Sequence, residues 1–503
     1  MKLEEMLAGI EVSAATAPAA AGVSAIDIAS IECDSRKVTR GTIFFALHGA
    51  KLEGAQFVED ALRRGAVAVA SEAARPATFP AEAAWIQLTP GTDRRALAIA
   101  AANFYGHPAD ALQLVGVTGT NGKTTITYLV DSILRAAGRT TGLIGTTGYR
   151  TPKGYRDAPN TTPESLELQR IFAEIRDSGG SNATLEASSH ALAMDRLWGC
   201  HFAAAIFTNL TRDHLDYHQT FESYFAAKRR LFEGTGAGAP DVAVINADDS
   251  YGAQLKGLAR STLTCGLKGS PDLAAKKLSL SAAGLEFTAQ TPAGELSVRS
   301  RLVGRMNAYN ILAAIGAGVG IGIPQGQIER GIAQLDAVPG RFERIDEGQP
   351  FLVVVDYAHT DDALRNVISA ARELSNGGRI ITLFGAGGER DRTKRPLMGE
   401  AAGSLSDLVV LTSDNPRSED PLRIINDVVV GLQKANATYR IEPDREQAIA
   451  IALNAAQPGD IVILAGKGHE TYQVLRDGAI DFDDRDKARA ALHRKGYAKE
   501  AVR

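Results

Sequence analysis

Short apolar runs that end in glycine recur along this chain, and each is followed by a stretch with helical spacing. Val115-Gly116-Val117-Thr118 leads into Gly119, Ile380-Ile381-Thr382-Leu383-Phe384 into Gly385, and Ile461-Val462-Ile463-Leu464-Ala465 into Gly466. Runs this short, without polar alternation, predict parallel strands buried on both faces in α/β units. Apolar positions from Ile126 to Ala137 keep the helical period, and Tyr224 to Phe232 reads as an amphipathic helix. Between Leu278 and Val298 the pattern alternates instead, punctuated by Gly284 and Gly294, which predicts inserted strands. Parallel sheets bind ligands outside the carboxyl ends of their strands, so the residues after each run are the first place to look for a site.

The same pattern divides the chain. Thr42 to Leu47 and Ala66 to Ala70 predict strands of a small α/β unit over residues 1–110, and Asn103 to Pro108 predicts a helix end and linker. A second unit, 111–338, opens at the glycine-rich loop, and a third, 339–503, begins at Val338-Pro339-Gly340. Three units suit 503 residues at about 150 per domain. No internal repeat is visible, and low complexity is confined to an alanine-rich stretch at 14–21.

Composition narrows the classes. Apolar residues at 45% and charged residues at 23% are ordinary for a globular protein with several cores. A net charge of −4 carries no basic stripe, which speaks against nucleic acid as the main partner. Cys33, Cys200 and Cys265 are too far apart for a disulfide framework or a metal motif and suit a reducing cytoplasm. The acidic start Met1-Lys2-Leu3-Glu4-Glu5 does not read as a secretory signal, and no apolar run reaches the roughly 18 residues of a membrane span.

Thr118-Gly119-Thr120-Asn121-Gly122-Lys123-Thr124-Thr125 lies between a strand pattern and a helix pattern. That is the context of a phosphate-binding loop. Backbone N–H groups and a helix N-terminus cradle phosphate, the lysine reaches the outer phosphates, and a threonine hydroxyl meets Mg²⁺. The loop is tighter than the common Walker pattern, with Val117 where the first glycine usually stands and Gly119 in its place.

Two further strand patterns end in acid or imidazole groups: Thr184-Leu185-Glu186, and Ile206-Phe207 leading to Asp213-His214. Glu186 is a natural oxygen ligand for hard Mg²⁺, and His214 a less usual one. Taken singly, Glu186 also reads as a capping carboxylate, His214 as a structural hydrogen bonder, and Lys228 as a solvated lysine on its helix.

The phosphate loop, the Glu186 segment, Asn209 to His218 and Ala227-Lys228 together resemble the Mur ligases of peptidoglycan synthesis. So do Asp34 to Val38, Gly304 to Asn310, Pro339 to Glu343, Asp356 to Thr360, Asp414 to Arg417 and Gly466 to Glu470. The resemblance covers roughly residues 20–490 and points to the branch that adds the third residue of the stem peptide. It implies an α/β, three-domain architecture: a UDP-substrate domain, a central P-loop ATPase domain and a Rossmann-like C-terminal domain that binds the amino acid. Four positions depart from the family pattern: Asp361 where proline is usual, Ala386 for cysteine, Glu389 for aspartate and Met194 for a glutamine near the substrate.

The activity implied is ATP-dependent amide ligation. The acceptor would be UDP-N-acetylmuramoyl-L-Ala-D-Glu, activated as an acyl phosphate, and the enzyme a cytoplasmic monomer. Gly119 to Thr125, Asn307, Asn310, Arg341 and Asp356 match ATP contacts. Glu186, His214, Thr124 and a carbamylated Lys228 match the Mg²⁺ ligands, with Lys123 as the catalytic cation. Ser35, Asn160, Thr161, Thr162, Ser188, Met194 and Arg196 match contacts to the UDP-linked dipeptide. Arg390, Asp414, Asn415, Pro416, Arg417, Gly466 and Glu470 would hold the incoming amino acid.

Arg417 follows a strand pattern (Leu408 to Leu411) and offers a planar fork for a carboxylate, which favours meso-diaminopimelate. L-lysine as the added residue, a related Mur or folylpolyglutamate-type ligase, and an inactive nucleotide-binding scaffold are the alternatives. The scaffold would be expected to lose Lys123, Glu186 or His214, and all three are present.

Overall fold

The computed structural model describes residues 1–16, 22–49 and 53–498, so part of the alanine-rich stretch at 14–21 lies outside the described residues. Among them are sheets of five, eleven, six and two strands. The five-stranded sheet uses Thr42–Phe45 and Ala66–Ser71 as parallel neighbours. Helix Asp93–Phe104 closes that unit, and a short 3₁₀ turn, Pro108–Ala111, leads out of it.

In the eleven-stranded sheet, Gln113–Thr118 lies between Asn182–Glu186 and Phe202–Phe207, parallel to both. Thr141–Gly145 lies beyond Asn182–Glu186 on one side, and Val242–Asn246 beyond Phe202–Phe207 on the other. Helices Lys123–Ala136 and Arg305–Gly320 cover one face, where Val115, Val117, Ile126, Leu129 and Ile311 share a core. Leu114, Leu185, Phe202 and Leu231 build a second core on the other face. The alternating segment forms Leu273–Ser281, Gly284–Thr291 and Gly294–Ser300, an antiparallel extension of this sheet.

The six-stranded sheet runs Glu343–Ile345, Leu352–Asp356, Ile461–Ala465, Ile380–Phe384, Leu408–Leu411, Tyr439–Ile441, parallel except for the first pair. Phe384 and Ala465 are fully buried at the strand ends, so the residues that follow stand at the sheet's carboxyl edge. Among the described residues no helix is long and apolar enough to cross a membrane.

Beneath that edge lies an ion pair with no exposure on either side, Arg445 Nη2 to Asp484 Oδ2 at 2.6 Å. Arg445 also donates to the carbonyls of Ser413 (3.3 Å) and Ala465 (2.9 Å), the residues just before Asp414 and Gly466. Breaking a buried pair from one side leaves an uncompensated charge. Arg445→Met is therefore expected to cost about 3–5 kcal/mol in urea unfolding, and Arg445→Met/Asp484→Leu to recover most of it. A single variant within about 1 kcal/mol of wild type would contradict this.

Candidate active site

The first strand of the central domain hands directly into the phosphate loop. Gly119 has φ +141°, and a Cβ there would lie 1.8 Å from Thr208 Oγ1, so only glycine lets the loop pass. The neighbouring strand holds the loop from the side. Thr208 Oγ1 donates to the Asn121 carbonyl at 2.6 Å, and Asn209 Oδ1 accepts from Asn121 N–H at 2.9 Å. Lys123 opens the helix, and its Nζ donates back to the carbonyls of Gly119 (3.0 Å) and Thr120 (2.7 Å). Thr125 is buried in the helix's first turn.

Thr124 is where the domains meet. Its hydroxyl donates to Glu186 Oε1 at 3.0 Å and accepts from Arg341 Nη2 at 3.1 Å. Glu186 is buried at its strand end and also accepts from Thr146 N–H (2.8 Å) and Thr146 Oγ1 (3.0 Å). The capping role falls instead to Ser188, whose Oγ accepts from Ala191 N–H. Thr146 was not singled out in the sequence, although Leu143-Ile144-Gly145 before it shows the same run-then-glycine signal.

Lys228 is buried, not solvated. Helix Phe221–Glu233 turns it under the loop, where Nζ donates to the Gly119 carbonyl at 2.8 Å and lies 4.3 Å from the centre of the Tyr224 ring. Burial first, and then the Lys123 charge, pull its pKa well below the usual lysine range. His214, in a left-handed backbone conformation, stands edge-on to His190 with ring centres 4.8 Å apart. Its Nε2 is 3.4 Å from the Asp213 carboxylate.

Glu186 with Thr124 supplies oxygen donors of the kind a hard cation takes. Among the described residues, however, no group of three or more His, Cys, Asp or Glu side chains is arranged for a metal. A Mg²⁺ ion at Glu186 and His214 therefore fits only with a further oxygen ligand. Lys228 can provide one if its amine becomes a carbamate.

All four of these groups line one cavity of about 620 Å³ between the central and C-terminal domains. Asn307, Asn310, Arg341 and Asp356 line it too. Asn310 Nδ2 donates to Asn307 Oδ1 at 2.9 Å, and Asn307 Nδ2 to the Val303 carbonyl. The Asp356 carboxylate accepts the N–H groups of Phe342 (2.7 Å) and Ala358 (2.8 Å), and burial raises its pKa. Asp362, another residue the sequence reading passed over, accepts from Asn121 Nδ2 at 2.8 Å and Thr211 Oγ1 at 2.9 Å, which ties the C-terminal domain to the phosphate loop.

Of the residues matched to the UDP-linked dipeptide, Thr161 and Ser188 line the cavity, and Thr161 Oγ1 lies 3.1 Å from the Thr146 hydroxyl that is bonded to Glu186. Thr162 Oγ1 donates to the Glu186 carbonyl at 2.6 Å, and Arg196 Nη1 to the Thr162 carbonyl at 2.8 Å. Arg196 Nη2 lies 3.7 Å from Met194 Sδ, and the Asn160 carbonyl accepts from Tyr149. Ser35 lies apart from these, buried in the N-terminal domain on a 3₁₀ turn.

The third cluster occupies the carboxyl edge of the C-terminal sheet. Asn415 Nδ2 donates to Glu470 Oε2 at 3.0 Å, and a Cβ on Gly466 would lie 2.7 Å from Asp414 Oδ2. Arg417, in a left-handed conformation, donates from Nη1 to the Gly388 carbonyl at 2.8 Å. Its sequence neighbour Glu419 is engaged elsewhere, by Arg395, and among the described residues no carboxylate pairs with Arg417. Arg390 lies alongside: a Cβ on Gly387 would be 3.3 Å from Arg417 Nη1 and 3.7 Å from Arg390 Cγ. The Pro416 carbonyl packs against Gly388.

Three family models match: the Mur ligase family catalytic domain over residues 27–105, the Mur ligase middle domain over 117–318, and the Mur ligase glutamate ligase domain over 340–468. A protein of Solibacter usitatus named UDP-N-acetylmuramoyl-L-alanyl-D-glutamate–2,6-diaminopimelate ligase is 53% identical, with 99% of each chain covered. A protein of the same name from Geobacillus thermodenitrificans is 46% identical over 93% of this chain and 95% of its own. A solved structure bearing that name aligns with a TM-score of 0.68 at 35% identity, over 99% of this chain and 100% of the other.

Proposed function

The chain belongs to the Mur ligase family, and on that premise we propose that it is the ATP-dependent amide ligase that adds meso-2,6-diaminopimelate to UDP-N-acetylmuramoyl-L-Ala-D-Glu in peptidoglycan precursor synthesis. The observation that carries the reading is the meeting at Thr124, where phosphate loop, buried carboxylate and an arginine of the C-terminal domain share one hydroxyl.

A γ-carboxylate oxygen of D-Glu attacks the γ-phosphorus of ATP, the bond to the bridging oxygen breaks, and ADP leaves. The amine of diaminopimelate then attacks the acyl carbon, giving up a proton as phosphate departs. Phosphoryl transfer asks mainly for positioning and neutralised charge. Lys123 and the N–H groups of residues 119–125 meet the phosphates, and Arg341 approaches from the opposite wall. Asn307 and Asn310 are assigned to the adenine, and Asp356 to the ribose. Mg²⁺ held by Thr124, Glu186, His214 and carbamylated Lys228 would neutralise charge on the transferred group.

Asn160, Thr161, Thr162, Ser188, Met194 and Arg196 face the muramoyl dipeptide in this assignment, and Ser35 the uridine end. The division at 110/111 and 338/339, a monomer, a cytoplasmic setting and the absence of a nucleic-acid partner belong to the same proposal. The test is incubation with ATP, the UDP-dipeptide and each of several amino acids, with the product mass as readout. ATP consumption independent of the acceptor would overturn the reading.

The choice of diaminopimelate over L-lysine rests on Arg417. The two substrates differ by one carboxylate, and Arg417 is held by carbonyls without an acidic partner among the described residues. Arg417 is half-buried, so leaving its charge unpaired costs toward the lower end of the about 2–5 kcal/mol seen for buried charges, roughly 30-fold in selectivity. The kcat/KM of the wild type should favour diaminopimelate by about that factor. Arg417→Ala should erase the preference by losing diaminopimelate rather than gaining lysine. Equal use of both by the wild type would refute the assignment.

A further inference from the structure

Lys467 has no exposed side-chain surface, yet it sits among the polar groups of the amino-acid cluster. Its Nζ donates to Asn415 Oδ1 at 3.2 Å and to Glu470 Oε2 at 3.1 Å, and lies 3.9 Å from Asp414 Oδ1. These contacts link the two segments that meet at the sheet edge, 414–417 and 466–470. Asn415 is then fixed further: its Oδ1 also accepts from Val474 N–H at 2.9 Å, and its Nδ2 donates to the same Glu470 oxygen. The side-chain amide oxygen of Asn415 thus has both of its acceptor positions engaged within the protein.

The charges are informative. Two carboxylates, Asp414 and Glu470, flank one buried ammonium, which leaves one net negative charge in this part of the cluster. Arg417, without a carboxylate partner among the described residues, stands beside it. A second guanidinium, Arg390, lies alongside Arg417, and Arg445 beneath the edge is neutralised by Asp484. One uncompensated negative charge beside these guanidinium groups matches one ammonium and one carboxylate, the two groups at the far end of a diamino diacid. Without Lys467, the carboxylates would repel each other across the site, and Asn415 and Glu470 would lose their shared anchor.

We propose that Lys467 is a positioning residue for the incoming amino acid: it touches no substrate, but fixes Asn415 and Glu470 and trims the site to a single negative charge. This rests on the reading of 414–417 and 466–470 as the amino-acid site, and the experiment separates the two. Steady-state constants for diaminopimelate, ATP and the UDP-dipeptide are measured in wild type, Lys467→Met, Glu470→Gln and Arg417→Ala.

Loss of a charge-assisted hydrogen bond should raise the KM for diaminopimelate about 10- to 100-fold in Lys467→Met. The KM values for ATP and the UDP-dipeptide should stay within about threefold of wild type. A purely structural lysine would lower kcat and disturb all three substrates together, and that result overturns the proposal. So does an unchanged diaminopimelate KM in Lys467→Met while Glu470→Gln and Arg417→Ala raise it, an outcome that leaves the site itself standing. If none of the three variants affects that KM, the site assignment fails first and the proposal with it. Should Lys467→Met not fold, Glu470→Gln/Lys467→Met takes its place, because it removes one charge of each sign. Its diaminopimelate KM should rise several-fold above that of Glu470→Gln alone, because Asn415 loses its anchor too, with the KM values for ATP and the UDP-dipeptide within about threefold; no further rise, or a rise in all three, would overturn the proposal.

Discussion

Lys123→Ala is expected to slow acyl phosphate formation by about 10³- to 10⁵-fold, the range seen when a fixed cation is withdrawn from a transferring phosphoryl group. The geometry makes the loss specific. Lys123 leaves the first turn of its helix and folds over the loop onto the carbonyls of Gly119 and Thr120, so its charge sits over the backbone that cradles the phosphates. Removing it takes the donor from the Thr120 carbonyl, but the Gly119 carbonyl keeps the hydrogen bond from Lys228 and Thr208 and Asn209 still hold the loop at Asn121. The fold should therefore survive, with an unfolding midpoint close to wild type. Single-turnover ADP release with acceptor present and amino acid withheld is the direct measurement. A rate within tenfold of wild type would sink the assignment.

Lys228→Ala should abolish ligation altogether, for a different reason. An amine buried beneath the loop, with its pKa lowered by that burial, is more readily available as a nucleophile toward CO₂. Attack of its nitrogen on the carbon, with loss of a proton, would turn the amine into a carbamate, an anionic oxygen ligand that could act with Glu186 and His214. Alanine removes that anion but leaves the Gly119 carbonyl bonded to Lys123. Bicarbonate with a short-chain carboxylic acid should then restore part of the activity, since the added acid can occupy the vacated space. The intact wild-type protein should weigh one CO₂ more under native conditions than after acid treatment. Wild-type turnover by Lys228→Ala would refute the role.

Other changes near the cavity should be milder. Asp362 receives Asn121 and Thr211 on its carboxylate, and hydrogen bonds to a charged group contribute about 1.5–3 kcal/mol each. Asp362→Ala is therefore expected to raise the KM for ATP about 10- to 100-fold, since only part of that energy couples to ATP binding, a shift readable in steady-state assays. A larger loss, confined to kcat, would mean that this carboxylate does more than join the domains.

What could be read from the sequence was local. The phosphate loop is one contiguous octapeptide, so its spacing alone carries the backbone geometry that phosphate needs. Glu186 and the strand before His214 were found because an apolar run fixes where a buried parallel strand ends, and the next residues must lie at the ligand edge. The three units were visible for the same reason: each sheet announces itself by its own set of buried runs.

What the sequence left open depends on partners far apart in the chain. Spacing allowed Lys228 to be solvated, and only the packing of its helix under the loop buries it. Thr124 and Arg341 meet across 217 positions, and nothing in either segment names the other. Lys467 lay within a recognised segment but had no reason to stand out, because a lysine's role is set by whether water or protein surrounds its ammonium. Local pattern determined the strands, the loop and the edge on which the chemistry sits. The docking of the C-terminal domain onto the central one decided which charges face each other, since Coulomb and hydrogen-bond energies depend on distances and desolvation that only the folded arrangement defines.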